Sequence, residues 1–207
     1  MLVDIIRPPV RILLKLFYRI EYLGRERIPK SGSLIICAHH TSYIDPFLLG
    51  AMCDRPIYFM AKKELFHIPV LAWLVRILNG FPVDRDKPDR KAIRQSIELL
   101  KQGKVLGLFP EGTRHKDGKL GPAYHGVSLI ALKTGVPILP VAILGANKIM
   151  PPGAKLPRFP KIRMKAGQLI RVDGLKRDKG DKESLLVKIT DLIMEELERL
   201  LSEMGVL

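Results

Sequence analysis

Residues 33–46 read S-L-I-I-C-A-H-H-T-S-Y-I-D-P, five apolar residues in a row followed by a polar stretch carrying two histidines and an aspartate. The run Ser33–Ala38 is short, apolar and bounded by Gly32 on one side and polar residues on the other. Those are the marks of a buried strand. His39–Pro46 then reads as a turn opening a helix that continues through Leu48 and Met52. A strand, a polar turn and a helix in that order make the opening of an α/β unit. In such folds reactive groups sit in the crevice at the strand ends.

The same alternation continues along the chain. Strands are expected at 56–60, 81–83, 105–109, 138–144 and 163–170. Helices are expected at 65–79, with Gly80 as its stop, at 86–102, at 123–134 and at 181–204. Ile93, Ile97 and Leu100 share a face of the helix at 86–102; Leu185, Ile189, Leu192, Leu197 and Leu200 recur at helical spacing in the last. The region 145–180, rich in Pro, Gly and Lys, reads as the most irregular. The fold class is therefore α/β, with a largely parallel or mixed central sheet flanked by helices.

Residues 1–24 read differently and are assigned to an N-terminal interfacial helix, with one domain over 25–207. Arg7, Arg11, Lys15 and Arg19 recur every four residues and form a slowly drifting basic stripe, while Leu13, Leu14, Leu16, Phe17 and Ile20 fall elsewhere around the helix. Pro8 and Pro9 suit the start of this helix. A basic stripe beside an apolar face is the pattern of an amphipathic membrane-binding helix; it is also that of a helix docked on the core with its cations in water. No stretch reaches the roughly 18–20 apolar residues needed to span a bilayer, so a membrane, if met, is met from its surface.

In 207 residues, 35 Lys and Arg stand against 21 Asp and Glu, giving a formal charge of +14. That balance favours anionic partners: lipid headgroups, phosphorylated metabolites, an acidic carrier protein or nucleic acid. No RNP, zinc-finger or helix-turn-helix signature accompanies it, so no nucleic acid is expected. The two cysteines, Cys37 and Cys53, do not form a disulfide framework and lack the C-x-x-C spacing of a metal site. Adjacent histidines point in divergent directions, which argues against a metal hydrolase built on His39, His40 and Asp45.

His40 and Asp45 lie five residues apart, too far round a continuous helix to meet, so a turn must bring them together. Joined, Asp45 would fix the tautomer of His40 and leave the other ring nitrogen as a base. The spacing alone is more often that of an N-cap and turn pair with a satisfied surface histidine. Ser42 and Cys37 lie near enough to be nucleophiles, yet neither has a nucleophile elbow, and direct activation of a substrate hydroxyl is simpler. The second feature, F-P-E-G-T-R at 109–114, follows another apolar strand. Pro110 and Gly112 force a tight turn that projects Glu111, Thr113 and Arg114, and Arg114 offers a fork of donors for phosphate. The third, G-F-P-V-D-R at 80–85, puts Arg85 just past a strand; the fourth, V-P-I-L-P-V at 136–141, shapes a strand entry.

In order and spacing these four stretches resemble the four motifs of the glycerophospholipid acyltransferase family, most closely its bacterial 1-acyl-sn-glycerol-3-phosphate acyltransferases. The resemblance covers about half the chain, from His39 to Val141. It implies that His40 is the general base on a glycerol hydroxyl and Asp45 its orienting group. It implies that Arg85, Glu111, Gly112, Thr113 and Arg114 bind the acceptor's phosphate, with Lys62 near it. The family commonly has Asn before the catalytic histidine; here that residue is His39. The expected acceptor is a lysophosphatidate-type lipid, the expected donor a thioester of acyl carrier protein or coenzyme A. No cofactor or metal is expected, and the expected setting is the cytoplasmic side of the membrane. Acylation of glycerol-3-phosphate or of another lysophospholipid is the alternative within the family. A basic, non-catalytic membrane- or nucleic-acid-binding module is the alternative outside it.

Overall fold

The computed structural model describes residues 2–115, 117–151, 153–174 and 181–205, with the side chains of 2–7 left aside. Arg7 of the basic stripe therefore lies outside the described side chains, and Met1 and the last two residues of the 25–207 span lie outside the described residues.

In chain order the elements are α1 (Leu2–Tyr18), β1 (Glu21–Leu23), β2 (Leu34–Ala38), α2 (Asp45–Met52), β3 (Ile57–Lys62), α3 (Pro69–Ile77), β4 (Gly80–Val83), α4 (Arg90–Lys101), β5 (Val105–Leu108), α5 (Gly126–Thr134), β6 (Ile138–Leu144), β7 (Arg163–Ala166) and α6 (Lys182–Glu203). The seven strands form one sheet in the order β1-β7-β6-β2-β5-β3-β4. The five from β6 to β4 are parallel, β7 runs antiparallel to β6, and β1 runs parallel to β7.

The central strand explains why 34–38 is apolar without interruption. Its side chains alternate between two cores. Leu34, Ile36 and Ala38 pack with Leu48, Leu49 and Met52 of α2 and with Leu14 and Tyr18 of α1. Ile35 and Cys37 pack with Leu100 of α4, Ile130 of α5 and Ile189 and Ile193 of α6. A strand covered on both faces has no polar side to show.

Several expected boundaries move. The helix expected at 65–79 splits: residues Lys63–His67 form a 3-10 turn, and α3 starts only at Pro69. A proline favours the first helical position because it has no amide to lose there. Gly80 is not the stop of α3; Asn79 takes the left-handed conformation at φ 51°, and Gly80 already belongs to β4. Asn reaches that region at modest cost. The helix at 86–102 starts at Arg90, because the Asp89 carboxylate caps it by accepting the amides of Lys91 and Ala92. The strand at 163–170 is only four residues long, followed by a bridge from Ile138 to Ile170.

The 1–24 stretch also divides. Pro8 and Pro9 lie inside α1 and not at its start. The helix ends at Tyr18, and Glu21–Leu23 forms an edge strand. Its basic stripe is not uniformly solvated. The Arg11 Nε–H donates to the Ala51 carbonyl (2.7 Å) and Nη2 pairs with Asp54 (2.9 Å), fastening α1 to the end of α2. Ile12, Leu13, Leu16 and Phe17 stay exposed. No helix among the described residues is long and apolar enough to cross a membrane.

Candidate active site

Parallel strands put all their C-terminal ends on one edge of the sheet, and the residues singled out from the sequence gather along that edge. His40 lies two residues past β2, Lys62 ends β3, Arg85 follows β4 and Arg114 follows β5.

Asp45 is the first residue of α2 and fully buried. Its Oδ2 accepts the backbone amides of Thr41 (2.8 Å) and Ser42 (2.7 Å) and meets His40 Nδ1 at 2.9 Å. A carboxylate only accepts, so His40 carries its proton on Nδ1 and keeps the Nε2 lone pair. The turn, not the helix, brings the pair together. The His40 ring lies flat against Phe109, with centroids 4.0 Å apart. Phe109 in turn faces Phe59 of β3. Gly107 makes room for this arrangement, since a Cβ there would sit 2.3 Å from the Phe59 ring. Burial pushes the His40 pKa below the ordinary histidine value; Asp45 pulls it back up, and the charges of Arg114 and Arg85 push it further down. His40 is therefore neutral at pH 7, the form whose Nε2 can accept a proton.

The 109–115 loop holds His40 by its backbone. Glu111, 1% exposed, accepts the His40 amide on Oε2 (2.8 Å) and the Gly121 amide on Oε1 (2.9 Å). The His115 amide donates to the His40 carbonyl at 2.8 Å. Both sides of the His40 residue are thus tied to one loop. Gly112 supplies the left-handed turn (φ 64°) that lets the loop fold back, and Thr113 is exposed on it. Burial raises the Glu111 pKa even against the two amides that stabilise its charge.

Arg114 and Arg85 feel each other. Arg114 lies over the Tyr43 ring, 3.3 Å from the centroid, a cation–π contact that aims its fork. Arg85 sits in a protein-crowded hollow whose surface stays open to solvent. Partial burial and the like charge of Arg114 lower its pKa, while Glu64 raises it. Two guanidinium groups repelling each other beside a histidine make a ready site for a multiply charged anion. Lys62 is drawn aside to Glu64 at 3.7 Å.

Cys37, fully buried, has its thiol pKa driven up by burial and by Glu111, which leaves it inert as a nucleophile. His39 points elsewhere from His40: its Nδ1 accepts the Ile143 amide at 3.5 Å. Among the described residues no cluster of three or more His, Cys, Asp or Glu is placed to hold a metal ion. Sequence reasoning gave no role to Phe109, Tyr43 or His115. The first two lie inside the quoted motifs, so an aromatic beside a motif histidine or arginine was the available signal.

The chain resembles known proteins in both sequence and fold. Residues 19–144, more than half of the chain, match the family model described as Acyltransferase. A chloroplastic 1-acyl-sn-glycerol-3-phosphate acyltransferase of Brassica napus is 36% identical over 142 residues, 67% of this chain but only 41% of that protein. The 1-acyl-sn-glycerol-3-phosphate acyltransferase of Bacillus subtilis is 27% identical over 94% of this chain and 96% of its own length. The crystal structure of the 1-acyl-sn-glycerophosphate (LPA) acyltransferase PlsC from Thermotoga maritima superposes with a TM-score of 0.71 at 31% identity, covering 93% of this chain and 79% of that one. The chain belongs to the acyltransferase family.

Proposed function

We propose that this protein transfers an acyl group from an acyl thioester to the 2-hydroxyl of 1-acyl-sn-glycerol-3-phosphate, making phosphatidate. The observation that carries the reading is one edge of sheet holding a neutral His40, hydrogen-bonded to the Asp45 carboxylate, beside two mutually repelling arginines. The acceptor's phosphate lies on Arg85 and Arg114, which places its glycerol hydroxyl toward His40. Nε2 of His40 takes the hydroxyl proton as the oxygen attacks the thioester carbonyl. The tetrahedral adduct collapses, the C–S bond breaks, and His40 returns the proton to the departing thiolate. Asp45 holds the ring and balances the transient imidazolium. A positioned base of this kind contributes about 10²–10⁴ in rate. The scheme calls on no cofactor beyond the thioester, supplied by acyl carrier protein or coenzyme A.

Glu111 serves this site as a brace, since both its oxygens are taken by backbone amides of the chain. Gly112 and Thr113 shape and line the acceptor's side of the loop, and Lys62 adds charge at its margin. The protein works from the surface of an anionic membrane, on its cytoplasmic side. Residues 1–24 act as the docking element, through the exposed Ile12, Leu13, Leu16 and Phe17 of α1, joined by Phe159, which stacks on Phe17 at 5.3 Å. Val70 and Trp73 of α3 are exposed as well. Between α1, α2 and α3 an apolar recess lined by Val10, Phe47, Ala51, Phe59, Ile77 and Leu78 suits a fatty chain. Phe59 links it, through Phe109, to His40.

The test is acyl transfer from a thioester to lysophosphatidate in vesicles. His40→Ala is expected to abolish it; full activity in that variant would end the proposal. Arg85→Ala and Arg114→Ala are expected to raise the acceptor KM and erase the preference over a dephosphorylated monoacylglycerol. Unchanged preference in both would take the phosphate away from them.

A further inference from the structure

His40 stands in the middle of the sheet edge, and only one of its flanks is used by the arginine pair. On the other flank lie the end of β6 and, because β7 is antiparallel, the beginning of β7, where Leu144 is paired with Arg163. Between them opens a groove of about 590 Å³. Thr41, the residue after the base, forms part of its wall, together with Leu144, Lys148, Lys161 and Arg163 and one opposing carboxylate, Asp117. Lys148 and Lys161 are exposed; Lys161 pairs with the Glu21 carboxylate at 3.0 Å, and Arg163 donates to the Met204 carbonyl. The volume falls in the range of small-molecule sites, roughly 300–1,000 Å³.

Two buried polar atoms beside this groove have no hydrogen-bond partner among the described residues. One is Thr41 Oγ1, in a residue 5% exposed. The other is Nε2 of His39, whose ring is 1% exposed and anchored through Nδ1 to the amide of Ile143, itself a groove residue. Because Nδ1 accepts, Nε2 carries a hydrogen. Buried donors without partners are costly to maintain, and they are expected where a ligand supplies the missing acceptor.

We propose that this groove binds the acyl donor through the phosphorylated pantetheine arm that carries the thioester. The inference rests on the acyl-transfer reading above. Acceptor phosphate and donor phosphate repel, so a site that brings both substrates to one histidine gains by separating their anions. Arg85 and Arg114 hold one flank; Lys148, Lys161 and Arg163 offer charge on the other, with Thr41 at the junction. The arm is a thin, extended, anionic chain, which suits an open basic groove walled in part by Thr41, the residue next to the base. Its amides and the thioester carbonyl supply an acceptor for Thr41, the unpartnered hydroxyl in the groove wall. Coenzyme A and acyl carrier protein present the same arm, and the charge reversal reads both.

The experiment compares the parent protein with Lys148→Glu/Lys161→Glu, two exposed positions where reversal leaves the cores untouched. Binding is measured, without turnover, to a non-hydrolysable acyl-coenzyme A thioether, to acyl carrier protein bearing the same thioether, and to 1-acyl-glycerol-3-phosphate. We expect donor Kd to rise about tenfold, as loss of charge-assisted contacts implies, with acceptor Kd steady. A rise for one donor only supports the groove and identifies the carrier. Donor Kd unchanged for both, or a rise confined to the acceptor, overturns the inference. If the parent turns over no substrate and donor binding still weakens on reversal, the groove stands and the acyl-transfer reading falls.

Discussion

Glu111→Gln and Glu111→Ala separate two roles for a motif carboxylate, contact with substrate and support of the base. In the structure Glu111 is 1% exposed, and each oxygen accepts one backbone amide, at 2.8 Å from His40 and 2.9 Å from Gly121. Alanine leaves both amides buried and unpaired. At about 1–3 kcal/mol for each orphaned donor, the variant should lose about 2–6 kcal/mol of stability. Glutamine keeps one acceptor and turns a donor toward the other amide, so it forfeits one bond, about 1–3 kcal/mol. Its net loss should fall at the low end, because burial already disfavours the Glu111 charge that glutamine removes. The kinetic signature is as specific. The His40 amide is freed while its carbonyl stays tied to His115, so the ring tilts without leaving. Misplacement on the order of 1 Å costs about 10²-fold. We expect kcat to fall about ten- to a hundredfold in the glutamine variant, with the lysophosphatidate KM within about twofold of the parent. Urea unfolding followed by circular dichroism, and steady-state transfer in mixed vesicles, read the two effects. A variant of parental stability and kcat but raised KM would place Glu111 on the acceptor and refute the bracing argument.

The acid limb of kcat/KM, which reports the free enzyme, should lie below the ordinary histidine pKa of about 6.5, because burial, Arg114 and Arg85 together lower that of His40. Activity is then complete at pH 7 and is lost as pH falls through the lowered value; Arg114→Ala should move the limb upward, which a pH profile of kcat/KM for the acceptor detects. His39, lowered by burial to about 4, takes up its proton at a lower pH in the folded chain than in the unfolded one. Between about pH 6.5 and 4 the unfolded state binds more protons, so stability should drop by about 3 kcal/mol as pH falls across that window, and His39→Asn should remove that part of the slope in urea titrations. Gly107→Ala would drive a methyl into the Phe59 ring and through it disturb Phe109 and His40. A loss of about 1–3 kcal/mol is expected, with reduced kcat, measured by the same unfolding and transfer assays; a neutral substitution would show that the aromatic stack is not needed.

How far the sequence could be read depended on whether a feature is local. The strand at 34–38 was legible because a two-faced burial leaves no polar position to hide it, and the His40–Asp45 turn because its residues lie within one unit. The edge strand Glu21–Leu23 was not, since three residues of mixed polarity become a strand only when β7, near the other end of the chain, arrives to pair with them. One member of the basic stripe of α1 was hidden in the same way, while Lys15 and Arg19 are exposed. Arg11 has the spacing of a solvated cation, but its partners are the carbonyl of Ala51 and the carboxylate of Asp54, which no helical wheel displays.

The same division runs through the site. Which residues could perform chemistry was written in short motifs; what each does depends on neighbours brought from a distance. Glu111 lies in a loop with Thr113 and Arg114, where a carboxylate is out of place beside a phosphate and spacing alone does not name its partner. Folding sorts them by depth. Arg114 is carried outward by the Tyr43 ring, while Glu111 is drawn inward by amides from His40, 71 residues earlier, and Gly121. A carboxylate left beside two arginines would have cancelled part of the charge that an acceptor phosphate needs. Turned into the protein, it holds the backbone of His40 instead, and the field of the two arginines is left uncancelled for the proposed phosphate. The loop therefore joins the two halves of the proposed site mechanically: Arg114 sits between Glu111 and His115 in the chain, and those two grip His40, the residue proposed to take the proton.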